Sequence, residues 1–157
     1  MKEPLPRPWR DLWWVIRDAL TEISIATGSQ ASKLGVPVLR SRFSRFFVEM
    51  DHLRDWLSTD DDELPHVTEA MVNQFAFNND QLRVVNALSN TTKHRKRRSG
   101  MVADITAITF SPVRAIVNVS YAEGLEHMGV TDALVLARGA IDAWGQFFDK
   151  YGITAPS

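Results

Sequence analysis

A mainly α-helical α+β fold, a helical bundle with one β-hairpin inserted before the C-terminal helix, is predicted by two changes of hydrophobic period. Apolar residues recur at spacings of three and four through the first two thirds of the chain, alternate at period two between residues 105 and 121, and return to helical spacing after Thr131. With 157 residues, 45% of them apolar, the chain can bury a real core without staples, so residues 1–157 are expected to form one domain with 1–8 as an extended lead-in.

Pro8 is suited to the first turn of a helix, and Trp9, Leu12, Trp13, Ile16, Leu20 and Ile23 make its apolar stripe. Residues 28–35, rich in Gly and Ser, predict a loop; they lack the Gly-Lys-Ser/Thr ending of a phosphate-cradling loop, so no nucleotide role follows. Pro37 opens a second helix on Leu39, Phe43, Phe46, Met50, Leu53 and Leu57, stopped by residues 58–62. A shorter helix is expected over 65–75 on Val67, Met71 and Phe75. Asn78, Asn79 and Asp80 cap a fourth that runs through Leu82, Val85 and Leu88 towards His94, and Ser99-Gly100 breaks it. The alternating stretch predicts an antiparallel hairpin over 103–121 turning at Ser111-Pro112, with Val113, Ala115, Val117, Val119 and Tyr121 on one face. Thr131 is the expected N-cap of the last helix, with Leu134, Ile141, Trp144, Phe148 and Tyr151 in line and Gly152 as its stop. Trp14 and Phe47 fall beside their stripes and are candidates for an interface.

Composition narrows the chemistry. The absence of cysteine removes disulfides, thiolate metal sites and cysteine nucleophiles, and favours a reducing compartment. Neither a signal-like apolar run at the start nor a stretch of ~20 apolar residues is present, so a cytoplasmic protein without a membrane span is expected. No motif implies a cofactor. Net charge is −1, but Lys93, Arg95, Lys96, Arg97 and Arg98 hold five of the 18 basic residues, leaving 13 against 19 acidic ones elsewhere, or −6. A mildly acidic chain thus carries one basic knot, with Asp60-Asp61-Asp62-Glu63 as an acidic counterpart.

Two stretches, His52-Leu53-Arg54-Asp55-Trp56-Leu57 and Asn90-Thr91-Thr92-Lys93-His94, each close a helix, the second just before the hairpin. With Trp144 in the final helix, they resemble a scattered set of bacterial and phage proteins whose bundle is similar to the HEPN superfamily. The resemblance spans roughly residues 43–151. Ala87 stands where the related motif has Asp, so only Asn90, Lys93 and His94 carry over from that helix. Such a fold implies metal-independent ribonucleases or non-catalytic modules that bind nucleic acid or a partner. The Arg-then-His spacing of the HEPN ribonucleases occurs at Arg45 and His52, but random placement alone predicts about one such match, and Phe46 stands where a polar residue is common.

Asn90 and His94 lie four apart on one helix face with Lys93 beside them; imidazole moves protons near neutral pH and Lys stabilises phosphate. This makes Asn90, Lys93 and His94 the candidate catalytic set. The structural alternative has Asn90 bonding hairpin backbone and His94 capping the helix C-terminus. Arg95, Lys96, Arg97 and Arg98 are the candidate nucleic-acid contacts, or else a solvated helix end or a mate for the 60–63 cluster. No aromatic residue interleaves with them, so base stacking has no support at that segment. His52 and Asp55 are expected to share a polar bond at the bundle edge, and no metal site is indicated. RNA or another nucleic acid is the leading partner; the rival is an interaction domain, with a homodimer among its forms. A cleft of gathered polar groups would favour the first, an apolar face the second.

Overall fold

The computed structural model describes residues 8–93, 100–124 and 127–156. Among these residues six helices and three strands follow in the order α1 (Trp9–Ala26), α2 (Ala31–Leu34), α3 (Val36–Thr59), α4 (Glu69–Phe77), α5 (Asp80–Lys93), β1 (Val102–Phe110), β2 (Ala115–Glu123), β3 (His127–Asp132) and α6 (Ala133–Lys150). The predicted class holds: a mainly α protein with the hairpin ahead of its last helix. A third strand widens the hairpin into a sheet of order β1-β2-β3.

α3 is the spine of the bundle. It packs on α1 along one side and on α5 along the other, and so needs two apolar flanks. That is why Phe47 is fully buried beside Phe46, ring centroids 5.4 Å apart, and is not an interface residue as its place beside the stripe suggested. Trp14 does face solvent, at 60% exposure. α6 closes the core: Phe148 meets Trp9 at 4.9 Å and Trp13 at 5.0 Å, while Phe147 and Trp144 meet Phe75 of α4. Those edge-to-face and tilted contacts are the arrangements aromatic rings prefer.

Backbone groups at the helix ends are met by nearby side chains, as buried termini require. Asp60 accepts the Trp9 N–H at 3.3 Å and the Glu63 N–H at 3.1 Å, and Arg10 pairs with Glu63 at 3.3 Å. Part of the acidic cluster is therefore engaged by the start of α1. Within the expected 28–35 loop, residues 31–34 form one helical turn that buries Ala31. The short helix begins later than its stripe implied, because Pro65 and His66 precede a real cap: the Thr68 hydroxyl accepts the Met71 N–H at 3.2 Å. Its buried face is then Val72 and Ala76. Asn79 caps α5 through the Leu82 N–H at 3.0 Å.

In the hairpin, Val102 pairs with Ala122 and Phe110 with Ala115, with a bulge between Ile105 and Ala107. Ala103, Ile105, Ala115, Val117 and Val119 face the helices; Val113 sits in the exposed turn and not on that face. The turn is anchored where the Ala115 N–H donates to Thr27 O at 2.7 Å, at the end of α1. β3 runs through Thr131, which pairs with Val119, so the α6 cap falls one residue later than expected. Asp132 accepts the Leu134 N–H at 2.8 Å. Gly152, at φ +65°, ends α6 as expected. Among the described residues, no helix is long and apolar enough to cross a membrane.

Candidate functional site

α5 carries polar side chains along one ridge because three- and four-residue steps return to the same face. Arg83, Asn86 and Asn90 share it; Lys93 closes the helix three residues on. Asn86 donates to Asp51 of α3 at 3.0 Å, and Asn90 donates to Asn86 at 3.3 Å. Arg54, one turn from Asp51, lies 3.8 Å from the same carboxylate, and its Nε is buried without an acceptor. Arg83 forms an ion pair with Glu123 at the end of β2. The helix end is pinned to the sheet by Thr91, whose hydroxyl lies 2.7 Å from Ala103 O and 3.0 Å from Ala87 O.

Four of these residues, Arg54, Arg83, Asn86 and Glu123, line a cleft of about 510 Å³ between α3, α4, α5 and the sheet. Arg54, Asn73, Gln74, Arg83, Asn86 and Glu123 give it polar walls; Ala76, Leu82 and Met101 give it an apolar floor, and Phe77 stands at its edge. Arg83 and Glu123 also line a neighbouring cavity of about 350 Å³ with Asp80, Gln81, Tyr121 and Thr131, so their ion pair is the partition between the two. The charges nearly cancel: Arg54 lies against Asp51 and Arg83 against Glu123.

Of the candidate catalytic set, Asn90 joins this polar row and Lys93 is the last residue of α5, while His94 lies outside the described residues. So do Arg95, Lys96, Arg97 and Arg98; Gly100, on the far side of that segment, lines the cleft. Asn90 bonds Asn86, and the bond to hairpin backbone considered for it comes from Thr91. No hydrogen bond joins His52 to Asp55, correcting that expectation: Asp55 faces solvent, and its backbone carbonyl accepts the Ser58 and Thr59 hydroxyls. Arg45 lines a separate groove of about 260 Å³ between α1 and α3, with Glu22 and Glu49. Among the described residues no group of three His, Asp or Glu is placed to hold a metal ion.

Asn86 and Arg83 were within reach of sequence reasoning, standing four and seven residues before Asn90 on one helix. Glu123, Asn73 and Phe77 come from other elements and carry no local signal. No family model, curated protein or solved structure matches this chain.

Proposed function

We propose that this chain is a HEPN-like helical domain that binds RNA or another nucleic acid at the C-terminal end of α5. The observation that carries the reading is the continuous polar row from Arg83 through Asn86 to Asn90, which leads to Lys93 and directly into four consecutive basic residues. Arg95, Lys96, Arg97 and Arg98 grip phosphate, a contact that gains free energy by releasing counterions. If the domain also cleaves, His94 is the proton-transfer group acting on a ribose 2′-hydroxyl, with Asn90 and Lys93 beside it.

Filter binding across a salt series tests this. Changing Arg95, Lys96, Arg97 and Arg98 to Ser should lower the slope of log K against log salt by up to ~2.8 on single strands, at ~0.7 per lost contact. His94→Ala should abolish any cleavage while leaving most binding intact. Absence of binding by the unmodified protein at low salt sinks the reading.

A second reading, an interaction domain that pairs with its own copy, is favoured by the sheet face turned away from the helices. Val102, Met128 and Val130 are exposed there, and β3 is an edge strand. Light scattering decides it: Val130→Glu should dissociate such a dimer, and a monomer at all concentrations excludes it.

A further inference from the structure

We infer that the cleft beside Phe77 takes one unpaired nucleobase of a single strand, with Phe77 as its stacking platform. This rests on the nucleic-acid reading and adds to it a site for the base, where the basic segment serves only phosphate.

Four observations meet at this place. Phe77 ends α4 at 69% exposure, an unusual cost for a large apolar ring, since such rings usually bury their area. The Arg83 guanidinium lies over that ring at 5.2 Å from its centroid and is itself tied to Glu123, so the ring is steadied from one side. The adjoining space, about 510 Å³, falls within the range of small-molecule sites and has the apolar floor already described. Around it stand the amides of Asn73 and Gln74, each able to present donors and an acceptor to a base edge, and that of Asn86, which is held in place by Asp51 and Asn90 and has one N–H left to donate.

Charge decides which part of a nucleotide belongs here. Each Arg of the cleft lies against a carboxylate, so there is little net positive charge to hold phosphate, and Glu123 would repel it. A neutral, planar group rich in hydrogen-bonding edges fits this balance. From Arg83 to Lys93 the helix advances about 15 Å at ~1.5 Å per residue. The aromatic partner missing from the basic segment in sequence is thus supplied from another helix.

The test uses 12-nucleotide RNA and DNA strands carrying one 2-aminopurine, an abasic strand of equal length, and the matching duplexes. The intact protein should bind the base-bearing strands about tenfold or more tighter than the abasic one and quench the 2-aminopurine, as stacked bases contribute on that scale. Phe77→Ala should remove both the preference and the quenching, and Phe77→Tyr should keep both. Asn73→Ala should weaken the preference without touching the ring. Duplexes, whose bases are stacked and paired, should not be quenched. Because Phe77 is exposed, its variants should melt with the unmodified protein; if Phe77→Ala did not fold, Phe77→Tyr and Asn73→Ala would still decide. Equal binding of abasic and base-bearing strands, or full quenching by Phe77→Ala, overturns the base site and leaves the phosphate grip standing. Failure of every strand to bind overturns the nucleic-acid reading itself. RNA bound in preference to DNA would place a ribose contact beside the base, and equal binding would confine recognition to the base; both uphold the site.

Discussion

Three glycines show how differently one residue type is used. At Gly129 in β3 a Cβ would fall on the Tyr121 hydroxyl, so Tyr121 can lie across the strand only because no side chain is there. Gly129→Ala should therefore cost ~1–3 kcal/mol as the ring is displaced, read as a lower urea midpoint. At Gly139 in α6 the atoms nearest to a Cβ would be those of the Gln81 side chain, which is exposed and can move. Gly145 lies inside α6 with open space where its Cβ would be. Gly145→Ala should raise stability by ~0.5–1 kcal/mol, because alanine restricts the unfolded chain and favours helix. A midpoint that falls instead would show that this face of α6 is packed against something beyond the chain.

The elements joined by side-chain bonds are where reading from sequence succeeded and failed. Long periodic helices were legible: the stripes of α1 and α3 predict their buried faces, since burial over many turns repeats the same period, whereas of the α6 line only Trp144 and Phe148 are buried and Leu134, Ile141 and Tyr151 sit half-buried beside a face of Leu136, Ala137, Ala140, Ala143 and Phe147. β3 was not. Its six residues include Gly129, and its apolar Met128 and Val130 face solvent while Gly129 and Thr131 face inward, so the usual apolar-in, polar-out pattern is missing. The cap of α6 was then misplaced by one residue, because Thr131 is spent in the ladder with Val119. Asp132→Ala should cost ~1 kcal/mol and Thr131→Ala less at that helix end, since the Leu134 N–H is met by Asp132. In the candidate site, the α5 ridge followed from spacing. The partners from α3, α4 and β2 did not, because pairs such as Arg83–Glu123 and Asn86–Asp51 span 40 and 35 residues and leave no periodic trace. Thr91 makes the joint between ridge and sheet. Thr91→Val keeps the shape but leaves Ala103 O without its hydroxyl donor, and should cost ~1–2 kcal/mol. If the nucleic-acid reading holds, it should also weaken binding.

Across the whole molecule, one buried cluster runs from Trp9 in α1 through Phe47 and Leu53 in α3 to Val119 in β2 and Phe148 in α6. A core shared in this way couples the sheet to the helices, with a second, smaller cluster of Ala26, Ala31, Leu39 and Ala115 beside it. Trp144 is its best probe: it is buried, its ring lies 5.5 Å from Phe147 and 5.8 Å from Phe75, and it does not line the candidate cleft. Trp144→Ala removes a large side chain that α4 and α6 cannot collapse upon, so stability should fall by ~3–5 kcal/mol. The more telling measurement is where that loss appears. Native-state hydrogen exchange reports the free energy of opening for each segment, and segments that share one cooperative core share one value. Amides of Val117 and Val119 should therefore lose the same protection as those of α1 and α6, although Trp144 lies on a helix. Sheet amides that kept their protection in the variant would mean that β1–β3 form a separate cooperative unit, with Thr91 and the Thr27–Ala115 bond acting as tethers to an otherwise independent bundle.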